Sequence, residues 1–324
     1  MSKLANNLYN LSMLAMKDHY VDAVPLPGTI DYTTCTPGEL EHMGRLVLER
    51  FGRDPRRWIG QGVDDIPSLV ELLESMPQQT APQSLVTLEE SDANDDGLVV
   101  LFPGQYGLSR SFQRLAGLVP GANTVVGLDY DGLDESRPVA RSMEECIALF
   151  RDELLGRRGA QLERMARSGR QLVMFGFCIG ACYAHAMADC LKRELDLDIR
   201  LVYFDGHPAQ WLSGTRMSAI FRQSKRALEI VRVKGDIERR LVRQGCRQMR
   251  LVGRHSAGMV DVDALLLRSS AISRSWELSS EAWEPYVRTC TQIDFNDLSH
   301  LDLIQLRQEG RIAQYLEPGY RFAA

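Results

Sequence analysis

The 324-residue sequence lacks any apolar run able to cross a bilayer. A span needs about 18 consecutive apolar residues, and the greasiest stretch, Leu172 to Ala188, is interrupted by Gly176, Gly180 and His185. The amino-terminal segment MSKLANNLYNLSMLAMKDHY has no continuous apolar core ahead of a small-residue cleavage site, so no secretory signal is read and a cytoplasmic protein is expected. Seven cysteines, at 35, 146, 178, 182, 190, 246 and 290, are odd in number and include no CxxC pair, which argues against a disulfide framework. In a reducing compartment most such residues are small buried hydrophobes. No grouping of His, Cys, Asp and Glu has metal-ligand spacing, so neither a metal nor a resident cofactor is expected. Internal repeats at periods of roughly 20 to 50 residues are absent as well. What remains, 44% hydrophobic and 25% charged residues, is the composition of an ordinary globular chain.

The net charge of -5 conceals a strong asymmetry. Residues 1–97 carry 7 Lys/Arg against 16 Asp/Glu, a local charge of -9, whereas residues 216–254 carry 12 against 3, a local charge of +9. A basic segment of this density either steers an acidic partner or forms a solvated helix face. Nucleic acid is disfavoured as the partner, because aromatic residues are sparse in that segment and the whole chain is acidic.

Residues 79–97 are polar, contain Pro82 and end in the acidic cluster before Gly97, which reads as a linker. Before it, residues 1–78 read as a small helical module. Thr36-Pro37-Gly38-Glu39 opens one helix with apolar positions at Leu40, Met43, Leu46, Val47 and Phe51, and Ile66 to Leu73 suggests another. After the linker, β-rich runs at 98–102, 124–128, 171–175 and 199–204 alternate with helix-like stretches at 142–155 and 179–193. Such alternation predicts an α/β domain over 98–324, a mostly parallel sheet with crossover helices.

The sharpest local signal is Gly176-Phe177-Cys178-Ile179-Gly180, between the apolar run Leu172 to Phe175 and a helix-forming stretch from Ala181. This pattern is a strand-to-helix nucleophile elbow with cysteine at the centre, where small residues two before and two after let strand and helix approach. A helix N-terminus behind the thiol favours thiolate. Upstream, Val99 to Gly107 ends a strand in a Gly-containing loop, so the backbone N–H groups of Gln105 and Ile179 are the candidate oxyanion donors. Downstream, Leu201 to Phe204 delivers Asp205 to a strand's carboxyl end, 27 residues after Cys178. Near the carboxyl terminus, residues 291–295 read as a strand followed by a loop bearing His300. His207 competes with His300 for the base role, but a base reaching down from the loop after the last strand favours His300. His185 and Cys182, on the helix behind the elbow, read as core or supporting groups.

The segments LFPGQYGLSRSFQRLAGLV, GFCIG, LVYFDGHPA and AWEPYVRTCTQIDFNDLSHLDLI together make the chain resemble, over about residues 97–316, the thioesterase family of nonribosomal peptide and polyketide synthesis. The resemblance implies an α/β-hydrolase fold, the order nucleophile Cys178, acid Asp205 and base His300, and a helical lid over about 211–268, where the +9 cluster lies. It also implies an acyl or peptidyl carrier protein as partner, and Arg239, Arg240, Arg243, Arg247 and Arg250 are the residues expected to dock it. The departure from the family is cysteine in place of serine, similar to stand-alone enzymes that shuttle aminoacyl groups between carriers. Release of the acyl chain by hydrolysis or cyclisation, and a catalytically dead binding protein, are the alternatives. The amino-terminal module is faintly similar to part of a carrier protein, with Ile66 where the modified serine would stand, and is read as a docking or homodimerisation module.

Overall fold

A computed structural model describes residues 30–77, 84–91, 97–105, 107, 109–121, 123–130, 139–211, 236–269, 278–298, 300 and 309–320, with Ala5, Leu8 and Ser12. Side chains at 46, 49, 50, 110, 111 and 236–243 fall outside that description. Seven strands make one sheet: β1 (Leu85–Glu89), β2 (Gly97–Phe102), β3 (Asn123–Leu128), β4 (Gln171–Phe177), β5 (Asp198–Phe204), β6 (Val260–Ser269) and β7 (Val287–Phe295). Their spatial order is β1-β3-β2-β4-β5-β6-β7. Among the described residues, only β1 runs antiparallel to its neighbour, and every other pairing is parallel. Buried on both faces, β2 and β4 read as unbroken apolar runs, as strands of a covered parallel sheet must.

The helices follow from local signals. Helix α1 (Pro37–Phe51) has Pro37 at its start, a reciprocal Thr36–Glu39 capping box and Gly52 as a left-handed C-cap. Helix α2 (Ile66–Ser75) begins on Asp65, whose carboxylate accepts from the Ser68 N–H, and buries Ile66, Leu69 and Leu73. The short α3 (Gln113–Leu118) precedes β3, and the 26-residue α4 (Met143–Ser168) runs from the Ser142 cap to Gly169. Helix α5 (Gly180–Glu194) leaves β4 directly and packs on β4 and β5, with α4 beside it. Helix α6 (Asp236–Val252) lies between β5 and β6 in the chain, and the short α7 (Glu309–Ala313) follows β7. No described helix is long and apolar enough to cross a membrane.

Three expectations about chain organisation change. The stretch 79–97, expected to be a linker, contains β1 and the first residue of β2; positions 79–83 and 92–96 lie outside the described residues. The Leu-Val-Thr-Leu-Glu run is too short to stand out from its polar flanks, and what holds it is tertiary. Glu153 of α4 accepts the Ser84 and Leu85 N–H groups at 2.5 and 2.9 Å, and β3 supplies the ladder. The expected lid range likewise overruns: 212–235 lies outside the described residues, α6 is helical, but Val260–Ser269 is strand β6, clamped between β5 and β7. Finally, α1 packs against β1, and Met43, Val47, Leu69 and Leu73 belong to the same contiguous core as the sheet.

The carboxyl-terminal segment is held by one buried cation. Arg200 of β5, 2% exposed, donates to the carbonyls of Tyr315, Glu317 and Tyr320 at 3.1, 2.6 and 2.7 Å. Its charge is satisfied by oriented carbonyl dipoles at a helical C-terminus. Arg200→Leu is expected to lower unfolding free energy by about 2–3 kcal/mol. Hydrogen exchange across residues 309–320 should quicken selectively, and unchanged protection there would refute the anchoring role.

Candidate active site

The turn from β4 into α5 is fixed by two close backbone approaches. A Cβ on Gly176 would collide with the backbone of Ala181, and one on Gly180 with the carbonyls of Phe102 and Pro103. Between them Cys178 is driven to φ 55°, a left-handed conformation that a non-glycine residue adopts only under constraint. Its N–H donates to the Phe204 carbonyl at 2.9 Å, and its carbonyl accepts from Ala181 N at 3.2 Å. The thiol therefore stands at the carboxyl edge of the sheet, just before the helix N-terminus, as the glycine spacing predicts.

Asp205, one residue past β5, is the second left-handed non-glycine position, at φ 50°. Its N–H donates to Leu267 at 2.9 Å, and its Oδ1 accepts from Ser269 N at 2.7 Å. The other oxygen, Oδ2, meets His300 Nδ1 at 2.9 Å. His300 is 8% exposed, lies over the Phe177 ring at a centroid distance of 4.7 Å and stands within electrostatic reach of Cys178. Cys178, His300 and Asp205 thus converge from three strand ends. Burial acts hardest on His300 and disfavours its imidazolium. The hydrogen bonds with Asp205 and Cys178, and their negative charge, outweigh it and push the pKa up to about 10. The His300 ring is held between the Asp205 carboxylate and the Phe177 ring.

The loop carrying Gln105 packs over the nucleophile, since a Cβ on Gly104 would sit 3.8 Å from the Cys178 Cβ. Ile179 is the residue from which α5 springs, so its N–H is one of those a helix leaves without an internal carbonyl. Both expected oxyanion donors therefore belong to backbone that borders Cys178. Tyr106 of this loop lies outside the described residues.

The competing histidines are placed elsewhere. His207 is buried, stacks on Trp211 at 6.3 Å, and its carbonyl accepts from Cys182 Sγ at 3.1 Å. His185 bonds the Tyr286 carbonyl at 3.0 Å against the Trp283 and Tyr286 rings, and burial lowers its pKa. Cys182 is a free buried thiol whose pKa burial raises. Among the arginines expected to dock a carrier, Arg239, Arg240 and Arg243 lie in α6 with side chains outside the described residues. Arg247 is half-buried and donates to the Ala140 carbonyl, so it is tied to the protein body, while Arg250 is exposed. Helical spacing alone could not foresee this, because which face of α6 meets the sheet is a tertiary matter. Nor could it foresee the Ser269 N–H or the Phe177 ring that hold Asp205 and His300. No metal-binding cluster occurs among the described residues.

No protein-family model and no curated protein sequence matches the chain. Solved structures do. A four-domain nonribosomal peptide synthetase, solved with AMP and glycine, superposes with a TM-score of 0.66 at 13% identity; the match covers 97% of this chain and 26% of that one. The Vlm2 thioesterase domain carrying a bound dodecadepsipeptide gives a TM-score of 0.51 at 18% identity, over 72% of this chain and 96% of the domain. The NocB thioesterase domain, in covalent complex with a fluorophosphonate nocardicin G analogue, gives 0.54 at 17% identity, over 71% and 96%. The chain therefore has the α/β-hydrolase fold of such thioesterase domains.

One outcome follows for titration. A histidine raised from 6.5 to about 10 stabilises the fold fully below pH 6.5, and that contribution drains away as pH climbs to about 10. The stability gap between the wild type and His300→Gln should narrow across this window. A gap that stays constant over the same range would refute the raised His300 pKa.

Proposed function

We propose that the protein is a cysteine-dependent acyltransferase that takes acyl groups from the phosphopantetheine arm of a carrier protein and passes them, through a Cys178 thioester, to a second carrier. The observation that carries this reading is a cysteine at the strained elbow of a thioesterase fold, beside a buried histidine that is itself held by an aspartate. Attack of the Cys178 sulfur on the donor thioester forms a tetrahedral oxyanion, which the N–H groups of Gln105 and Ile179 would stabilise. Collapse breaks the carbonyl–pantetheine bond, and the departing sulfur takes the proton from His300. Deacylation by an incoming pantetheine thiol reverses these steps.

Cysteine in place of serine decides the direction. A seryl enzyme turns a thioester into an oxygen ester of lower free energy, which suits an irreversible ending. A cysteinyl enzyme exchanges one thioester for another, a nearly isoenergetic and therefore reversible step. Cys178 is 5% exposed, and restricted access of water favours a thiol acceptor over hydrolysis.

The carrier would meet the basic side of the protein, with Arg250 exposed and Arg239, Arg240 and Arg243 on the same helix. Carrier proteins are acidic around the pantetheine arm, so docking should weaken as the Debye length falls from about 10 Å to about 3 Å with added salt. Arg250→Glu should raise KM for a carrier-bound thioester severalfold more than for a small pantetheine thioester. Equal losses for both would remove the docking role.

The central experiment loads a carrier with an acyl group, follows the enzyme by intact mass, then adds an empty carrier. The wild type should gain the acyl mass and surrender it to the second carrier; Cys178→Ala should gain none. His300→Ala and Asp205→Ala should slow acylation by roughly 10²- to 10⁴-fold, with Asp205 the smaller effect. Acyl mass on Cys178→Ala would refute the nucleophile, and loss of the acyl group only to water would replace transfer with hydrolysis.

A further inference from the structure

The loop over Cys178 carries a polar group that the proposed mechanism leaves unused. The Gln105 side chain is 3% exposed, and neither its Nε2 nor its Oε1 finds a hydrogen-bond partner among the described residues. It abuts α6, because a Cβ on Gly245 would lie 3.2 Å from its Nε2. One turn along α6, on the face that Gly245 shares, Gln248 is fully buried. Its Oε1 accepts from the Tyr183 hydroxyl, and its Nε2 is again unpartnered among the described residues. Tyr183 packs on Tyr130 with ring centroids 4.5 Å apart, and the Tyr130 hydroxyl donates to the Pro103 carbonyl at 2.5 Å. The two amides and the oxyanion loop are thus linked by one packed cluster beside Cys178.

Buried amides without partners are rare, because each forfeits the hydrogen bonds it made in water. An apolar residue in the same place would give a more stable protein unless something else pairs with the amide. We infer that the Gln105 side-chain amide, with Gln248 behind it, is a specificity-determining group that selects acyl chains bearing an amide close to the thioester carbonyl. This rests on the acyl-transfer reading above. The substrate N–H would donate to Gln105 Oε1, and its carbonyl would accept from a glutamine Nε2. A hydrocarbon chain would leave the same atoms unpaired on binding, and a site built for hydrogen bonds rejects an analogue that lacks them.

The test uses three N-acetylcysteamine thioesters of matched length on the full chain: N-acetylglycyl, levulinoyl, in which a methylene replaces the amide N–H, and pentanoyl, which lacks the second carbonyl too. Acylation of Cys178, followed by intact mass, should have a kcat/KM for N-acetylglycyl at least about tenfold above that for pentanoyl, with levulinoyl between. Gln105→Met keeps the backbone N–H and should pull that ratio toward one, with Gln248→Met moving it the same way by less. Gln105→Met should not lower the melting temperature, since it removes only unpaired polar atoms, whereas Gln248→Met should lower it by leaving the buried Tyr183 hydroxyl without its acceptor. A wild-type ratio near one overturns the inference without a variant. So does a ratio that survives Gln105→Met, or a clear drop in its melting temperature, which would mean the amide is bonded within the protein. If none of the three thioesters acylates Cys178 while a loaded carrier does, the selection inference alone fails; if the carrier fails as well, the acyl-transfer reading falls with it.

Discussion

The constraint on which the molecule depends is the close approach of the β4–α5 turn to the end of β2. Gly180 lies so near the Phe102 and Pro103 carbonyls, and Gly176 so near Ala181, that neither position has room for a side chain. This contact holds Cys178 at φ 55° against its own preference and brings the Gly104–Gln105 loop against the same residue. The strain is offset by the surrounding core, where β2 and β4 are buried along nearly their whole length.

A second strained residue extends the same logic across the sheet. Asp205, at φ 50°, is bound through its backbone to Leu267 and through its carboxylate to Ser269, both of β6. The position of the acid is therefore set by a strand that the chain reaches only after α6. Trp283 adds a further tie by donating from Nε1 to the Gly206 carbonyl at 2.8 Å. With the carboxylate immobile, His300 can be held over Phe177 as a cation in a place where burial alone would strip its proton. Cys178, His300 and Asp205 meet because each is positioned by a different strand end.

The polar cluster under α6 follows a different physical rule. Elbow and acid are tightly satisfied, whereas Gln105 and Gln248 keep unpartnered amide atoms among the described residues. Stability would favour apolar residues there, so the amides are best understood through what they would meet in a bound acyl group. Arg247 works in the opposite sense: a residue of the basic segment spends its charge on the Ala140 carbonyl and ties the helix to the body of the protein.

Much of the site was legible in sequence because its signals are local. Glycines at fixed spacing about Cys178, an apolar run ending in Asp205, and a histidine after the last strand each describe a backbone requirement satisfied within a few residues. The caps of α1 and α2 were legible for the same reason. Strand β1 was not, because five residues with polar flanks become a strand only when β3 and Glu153 pair with them. Nor was β6, whose apolar run passes for lid until β5 and β7 enclose it. The sequence by itself determined the glycine-flanked turn at Cys178 and the chain order of Cys178, Asp205 and His300. Only the tertiary structure decided that His300 and not His207 reaches Asp205, that Arg247 turns inward, and that Gln105 is buried without a partner among the described residues, because each depends on which distant surface is packed against the residue.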